Sequence, residues 1–239
     1  MNNKLIETGI EGLDKMLKGG IPEKNQILIA GGPGAGKTLL CFEIVYRNAK
    51  KGIPCLFISM EEQPENIIRN AKETFSSFED IDELIANKLI IIDGQDPTSK
   101  LMDSPDAEGY SFGSIVSDIE EEISKNKAKI IVIDSLSMLS LILTDKIKYR
   151  QSLLSLISNF NRLGVTSFIT YELSSGERNN LKFSKDFFLF DGVITLYQSG
   201  QEDRRMLLTE IVKMRGVNHS YALVPYEITS DGFKIYSID

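Results

Sequence analysis

Residues 26–38 read Gln-Ile-Leu-Ile-Ala-Gly-Gly-Pro-Gly-Ala-Gly-Lys-Thr, an apolar run that passes without a spacer into a glycine-rich loop. Gln26–Ala30 shows no polar alternation, the pattern of a strand buried on both faces. Gly31, Gly32, Pro33, Gly34, Ala35, Gly36, Lys37 and Thr38 then fit G-x-x-x-x-G-K-[ST]. Residues 39–50 follow, with Leu40, Ile44, Val45 and Ala49 on one helical face. Strand, loop and helix in that order form a phosphate cradle. Glycines let successive backbone N–H groups curl around an anion, and the helix N-terminus adds a positive dipole end. Lys37 is placed to reach the β- and γ-phosphates of a nucleotide, and the Thr38 hydroxyl to ligate Mg²⁺. The bland alternative is a glycine-rich turn that holds nothing; the strand before it and the helix after it argue against that.

Outward from this stretch the alternation continues. Apolar strands are predicted at 54–60, 88–93, 129–134 and 165–171, with helices at 64–75, 115–124 and 149–163 between them. Strands that are apolar throughout and separated by helices imply an α/β fold, a mostly parallel sheet covered on both faces. After Asp191 the pattern changes to strand-like segments at 193–197, 206–212, 221–228 and 233–238, joined by turn residues such as Ser230-Asp231-Gly232. They predict a β-rich, antiparallel tail, and the whole of 1–239 is read as a single domain. Residues 95–110 form a polar loop, long enough to be functional or disordered.

A cradle of this kind needs a second carboxylate on the metal side. Asp134 ends the apolar run 130–133 and so projects at the carboxyl edge of the sheet; Asp93, at the end of 89–92, is the competitor. Hydrolysis also needs a group to orient water. Glu61 and Glu62 follow the strand 54–60 and would lie beside a γ-phosphate if that strand neighboured the loop strand. They could equally be the acidic first turn of the helix that Pro64 opens.

Composition narrows the classes. The 239 residues are 42% hydrophobic and 26% charged, with 34 acids against 27 bases and a net charge of -7, the reverse of a chain living on nucleic-acid backbones. The two cysteines, Cys41 and Cys55, lie in apolar runs, and with one histidine they cannot make a Cys/His zinc site. No apolar stretch approaches the ~20 residues that span a bilayer, and MNNKLIETG lacks a secretory pattern, so a cytoplasmic location without membrane attachment is expected.

Five motifs in order carry a resemblance. Thr8–Pro22 (T-G-I-E-G-L-D-K-M-L-K-G-G-I-P), the loop G-G-P-G-A-G-K-T, S-M-E-E at 59–62, V-I-D-S at 132–135 and K-M-R-G at 213–216, with His219 beyond, together resemble the KaiC branch of the RecA/RadA ATPases. The resemblance covers essentially the whole chain as one module, whereas the clock members of that branch carry two in tandem. It implies a RecA-like P-loop core that binds and hydrolyses ATP with Mg²⁺. Glu61 and Glu62 match the catalytic glutamates, and Asp134 matches the Walker B aspartate. Lys213 and Arg215 match basic residues reaching the γ-phosphate of a neighbouring subunit, with His219 near the nucleotide's sugar or base. Such a site is complete only between subunits, so the resemblance implies a homo-oligomeric ring, a hexamer. Where the autophosphorylated clock module has a Ser-Thr pair, this chain has Phe187 and Phe188, so serine/threonine autokinase activity is not expected.

Two other readings compete with a regulatory ATPase switch. One is a RadA-like module holding single-stranded DNA through loops 136–148 and 174–185, the second of which carries Arg178, Lys182 and Lys185 with Asn179, Asn180 and Phe183. The other is a scaffold that binds ATP and scarcely turns it over. Asn87-Lys88-Leu89-Ile90 begins like a guanine-reading N-K-x-D but lacks the aspartate, so it is read as a helix-to-strand connection.

Overall fold

The computed structural model describes residues 4–95, 112–138, 143, 145–178, 184–199 and 205–237. Its centre is a nine-stranded sheet. The strands are β3 (Gln26–Gly31), β4 (Cys55–Ser59), β5 (Ile90–Gly94), β6 (Ile130–Asp134), β7 (Thr166–Glu172), β8 (Gly192–Ser199), β9 (Met206–Met214), β10 (Val224–Thr229) and β11 (Gly232–Ile235), ordered β11-β10-β9-β8-β3-β7-β6-β4-β5. A separate two-stranded sheet pairs β1 (Leu5–Ile6) with β2 (Ile21–Pro22). From β8 through β5 the pairing is parallel, and from β8 outward to β11 it is antiparallel.

Both faces of the parallel part are covered, and residue parity assigns each side chain to its face. Ile27 and Ile29 of β3, Phe57 of β4 and Ile130 and Val132 of β6 enter one core with α1 (Glu11–Met16), α2 (Lys37–Ala49), α3 (Pro64–Thr74) and α4 (Ile81–Ala86). Leu28, Ala30, Leu56, Ile58, Ile131 and Ile133 enter the other, beneath α5 (Phe112–Asn126) and α6 (Lys146–Leu163). Strands buried on two sides must be apolar at every position, which is why their sequences run without alternation. Helix α6 starts at Asp145, whose carboxylate accepts from the N–H groups of Ile147 and Lys148, and it ends at Gly164 in the left-handed conformation (φ 68°).

The structure departs from the sequence reading in places. The segment 193–197 is not part of the antiparallel tail alone: β8 pairs in parallel with β3 and antiparallel with β9, so it is the strand at which direction reverses. The tail strand predicted at 221–228 begins only at Val224, and the last one ends at Ile235. β1, β2, α4 and a 3-10 turn at Lys185–Leu189 escaped prediction, being too short for periodicity to register. Most of the polar loop predicted at 95–110 lies outside the described residues.

Candidate functional site

The loop Gly31–Thr38 leaves the carboxyl end of β3 and opens α2. Gly34 and Gly36 have φ of 70° and 82°, a left-handed region that costs glycine nothing. Gly36 is the N-cap of α2, and no side chain caps that end, so its free N–H groups face the loop. Lys37 folds back over the loop, its Nζ donating to Gly32 O at 3.0 Å. Burial lowers the Lys37 pKa, against the opposing pull of Glu172, Asp134 and Glu61. Those three carboxylates therefore face the lysine from the ends of β7, β6 and β4.

Of the two competing aspartates, Asp134 is the one brought to the loop. On β6 it shares the parity of Ile130 and Val132 and so points to the α2 face. There Thr38 Oγ1 donates to Asp134 Oδ2 at 2.7 Å, and Thr170 Oγ1 donates to Asp134 Oδ1. Burial raises the Asp134 pKa, with the two hydroxyls and Lys37 opposing it. Asp93 lies on the outermost strand, β5, and takes a hydrogen bond from Gln95 Nε2 at 2.6 Å instead.

The strand carrying Glu61 and Glu62 does not neighbour the loop strand: β7 and β6 separate β4 from β3. Glu61 nevertheless reaches the Asp134 strand, its Oε1 accepting from Ser135 Oγ. Glu62 turns the other way. Its carboxylate accepts from Asn70 Nδ2 of α3 at 3.3 Å, while its backbone is tied to Ser59, whose Oγ donates to Glu62 O at 2.6 Å.

Lys213, Arg215 and His219 are not gathered at the loop. Lys213 pairs with Val193, which pairs with Leu28, and the Arg215 N–H donates to Asp191 O. Both basic residues thus stand level with the start of β3, whereas the loop leaves its end. Lys213 Nζ and Arg215 Nη2 donate to Phe188 O at 3.3 and 3.1 Å. Phe187 is buried, and Phe188 is 69% exposed beneath the Lys213 ammonium. His219 is buried, its Nδ1 2.9 Å from Ser220 O and its ring against Tyr221.

Sequence reading missed Thr170, Ser135 and Glu172. Thr170 carried no distinctive signal, because its strand also holds Thr166, Ser167 and Glu172. Of the basic DNA loop, Asn179, Asn180, Lys182 and Phe183 lie outside the described residues, as do 139–142 and 144 of the other loop. Arg178 is drawn off into an ion pair with Glu210, Nη2 to Oε2 at 2.9 Å. Cys41 and Cys55 are buried free thiols whose pKa values burial pushes upward, which makes them packing groups.

The donor set fits a nucleotide-bound Mg²⁺. One hydroxyl and one carboxylate meet beside a phosphate cradle, and Mg²⁺ commonly takes few protein ligands and completes its shell from phosphate and water. Among the described residues no group of three or more His, Cys, Asp or Glu is placed to hold a metal by itself. No helix among them is long and apolar enough to cross a membrane.

A glycine-rich loop between a central parallel strand and its helix, with an aspartate two strands away bonded to the loop threonine, defines a RecA-type α/β domain with a P-loop. A family model described as "ATPase: KaiC" matches residues 6–239, and the chain belongs to that family. It is 31% identical over 241 residues to the circadian clock oscillator protein KaiC of Rippkaea orientalis, covering 98% of this chain and 44% of that protein. The corresponding protein KaiC 1 of Synechocystis sp. is 32% identical, with the same coverage. The chain thus spans less than half the length of these relatives. Among solved structures it resembles a KaiC-like protein of the hyperthermophilic archaeon Pyrococcus horikoshii OT3, with TM-score 0.82 and 27% identity over 98% of this chain and 99% of that one.

Proposed function

We propose that the chain is a Mg²⁺-dependent ATPase module that assembles into a ring, a hexamer, and acts as a regulatory switch. The observation that carries this is the hydrogen bond between Thr38 and Asp134 beside Lys37, with Glu61 held at the same edge through Ser135. The backbone N–H groups of the loop and Lys37 hold the β- and γ-phosphates of ATP. Thr38 and Asp134 hold Mg²⁺, which neutralises charge on the phosphate oxygens when it is bound. Glu61 orients the attacking water and takes its proton; Glu62, tied to α3, supports that edge. Lys213 and Arg215 stabilise charge on the γ-phosphoryl group of the next subunit's ATP, and His219 lies toward that nucleotide's sugar or base.

Phenylalanines at 187 and 188 support hydrolysis without autophosphorylation there. Free buried thiols fit a reducing, cytoplasmic compartment. The pairing of Arg178 with Glu210 weakens the single-stranded DNA reading. The test is ATP hydrolysis per protomer across a range of protein concentrations, with sedimentation to follow assembly. Specific activity that rises with assembly supports the shared-site ring. Tight ATP binding with negligible turnover at every concentration favours the scaffold, and a salt-sensitive shift of labelled single strands favours DNA.

A further inference from the structure

The P-loop is held from outside by two side chains of the C-terminal half. Tyr226 of β10 donates its hydroxyl to Ala35 O at 2.6 Å, and Gln198 of β8 donates Nε2 to Pro33 O at 2.9 Å. In a trans peptide the C=O and the following N–H point in opposite directions. Fixing the Ala35 oxygen toward β10 therefore turns the Gly36 N–H away from it, into the loop. Fixing the Pro33 oxygen toward Gln198 does the same for the Gly34 N–H. Among the described residues neither N–H donates to another group of the chain. Gly34 and Gly36 are also the two loop residues with left-handed φ, the alternation that forms an anion-binding nest.

The holding elements are themselves fixed. A Cβ on Gly36 would come within 2.7 Å of Ile228 Cδ1 and 3.1 Å of Phe233 Cζ, so the hairpin β10–β11 lies directly against the loop. That hairpin is fastened to α2, the helix the loop opens. The Phe233 N–H donates to Glu43 Oε2 at 2.6 Å, and Arg47 Nη2 donates to Asp231 O at 2.9 Å. Tyr226 is buried and its hydroxyl pKa is pushed well up by that burial, so it stays a donor at any working pH.

We propose that Tyr226 and Gln198 are positioning residues of the phosphate site, aiming the Gly36 and Gly34 N–H groups at a bound polyphosphate. This rests on the nucleotide reading above. It gives the tail a role in the site beyond packing, since the loop's own sequence fixes which peptides can turn but not which way they face.

The test compares wild type with Tyr226→Phe, Gln198→Ala and the double variant. Calorimetric affinity for ATP with Mg²⁺ and for inorganic pyrophosphate is measured alongside KM, kcat and melting temperature. Losing one aimed N–H is worth about three- to tenfold in affinity. Each single variant should therefore weaken ATP and pyrophosphate by that factor and raise KM to match, with kcat within about twofold, because the contact is made equally in ground and transition states. Lower melting temperatures with unchanged affinities and unchanged KM would overturn the proposal and leave only packing. Tyr226→Phe leaves a buried carbonyl without its partner; if that variant fails to fold, the half-buried Gln198→Ala decides the matter alone. Wild type that binds neither ATP nor pyrophosphate overturns the nucleotide reading and this proposal with it. Wild type that binds both with variants equal to it overturns this proposal alone.

Discussion

Thr38 and Asp134, 96 residues apart in sequence, are joined by a hydrogen bond of 2.7 Å that ties the first turn of α2 to the end of β6. The carboxylate it holds is buried, which disfavours its charge. Burial raises the Asp134 pKa above the ordinary carboxylate value despite hydroxyls from Thr38 and Thr170. A folded-state pKa above the unfolded one means the folded state holds the proton longer, so this group's contribution to stability falls as pH rises through that window.

The first prediction follows. In nucleotide-free protein, Asp134→Asn should raise the melting temperature at pH 7 by about 2–4 °C, equivalent to roughly 1 kcal/mol for a chain of this size. The difference should shrink as pH falls and the native carboxyl, its pKa raised by burial, takes up its proton. The same variant should lose Mg²⁺-dependent turnover. Thermal melts across pH 4–8 check the sign; a variant less stable than wild type at pH 7 would show that the carboxylate contributes net stability.

Glu61 and Glu62 are adjacent in sequence and separate in their contacts. Glu61 is held by Ser135 at the Asp134 strand, while Glu62 is directed to Asn70 on α3. Glu61→Gln should lower kcat by about 10²–10⁴-fold with ATP affinity within a few-fold, as loss of a water-orienting base does. Glu62→Gln should cost tenfold or less. Single-turnover and binding measurements on the two variants separate the roles, and equal losses would make the pair act as one unit.

How much of this was legible in the sequence depends on the range of the interaction. The phosphate loop was readable because strand, turn and helix lie within 13 consecutive residues, 26–38. Asp134 was readable as a strand end, and because β6 lies two strands from β3 while β5 is outermost, the fold brings Asp134 to Thr38 and leaves Asp93 away from it. That strand order was not readable. Nothing local says that β7 and β6 intervene between β3 and β4, and Glu61 meets the end of β6 through its contact with Ser135 and not through strand adjacency to β3. The grip of Tyr226 on Ala35 spans 191 residues, beyond any periodicity. Buried Glu43 was equally invisible, since a glutamate in a helix reads as a surface residue until its partners are known.

Glu43 itself supports a third prediction. Its side chain is fully buried, paired with Arg47 Nε at 2.6 Å, and it also accepts from the Phe233 N–H. Burial raises its pKa, with the Phe233 N–H and Arg47 opposing. Arg47→Ala strands a buried charge and releases the hairpin from α2, costing about 2–4 kcal/mol at pH 7. Glu43→Gln keeps an acceptor for Phe233 and should cost less. The raised pKa makes the Arg47→Ala penalty shrink as pH falls and Glu43 takes up its proton. Denaturant unfolding of both variants at pH 7 and pH 4.5 tests the order and the trend; a penalty independent of pH would assign the loss to Arg47 packing on Phe78 instead.

Lys213 offers the sharpest test of assembly, because register keeps it from its own loop. Through Val193 it stands level with Leu28, three residues before Gly31, which is about 10 Å along the strand. If Lys213 serves the next subunit's nucleotide, Lys213→Ala alone should lose about 10²–10³-fold in turnover, as removal of a cation supplied in trans does. Glu61→Gln alone is also inactive, for a different reason. An equimolar mixture allowed to exchange subunits then creates sites with Glu61 from one protomer and Lys213 from its neighbour. Random assembly makes about one quarter of the sites wild type in both groups, so about one quarter of wild-type turnover should return. A site contained within one protomer cannot be repaired this way, since every chain in the mixture lacks one of the two residues. Recovered activity therefore fixes the site between subunits, and a mixture as inactive as its parts returns Lys213 to the role of a charge on β9 that merely holds Phe188.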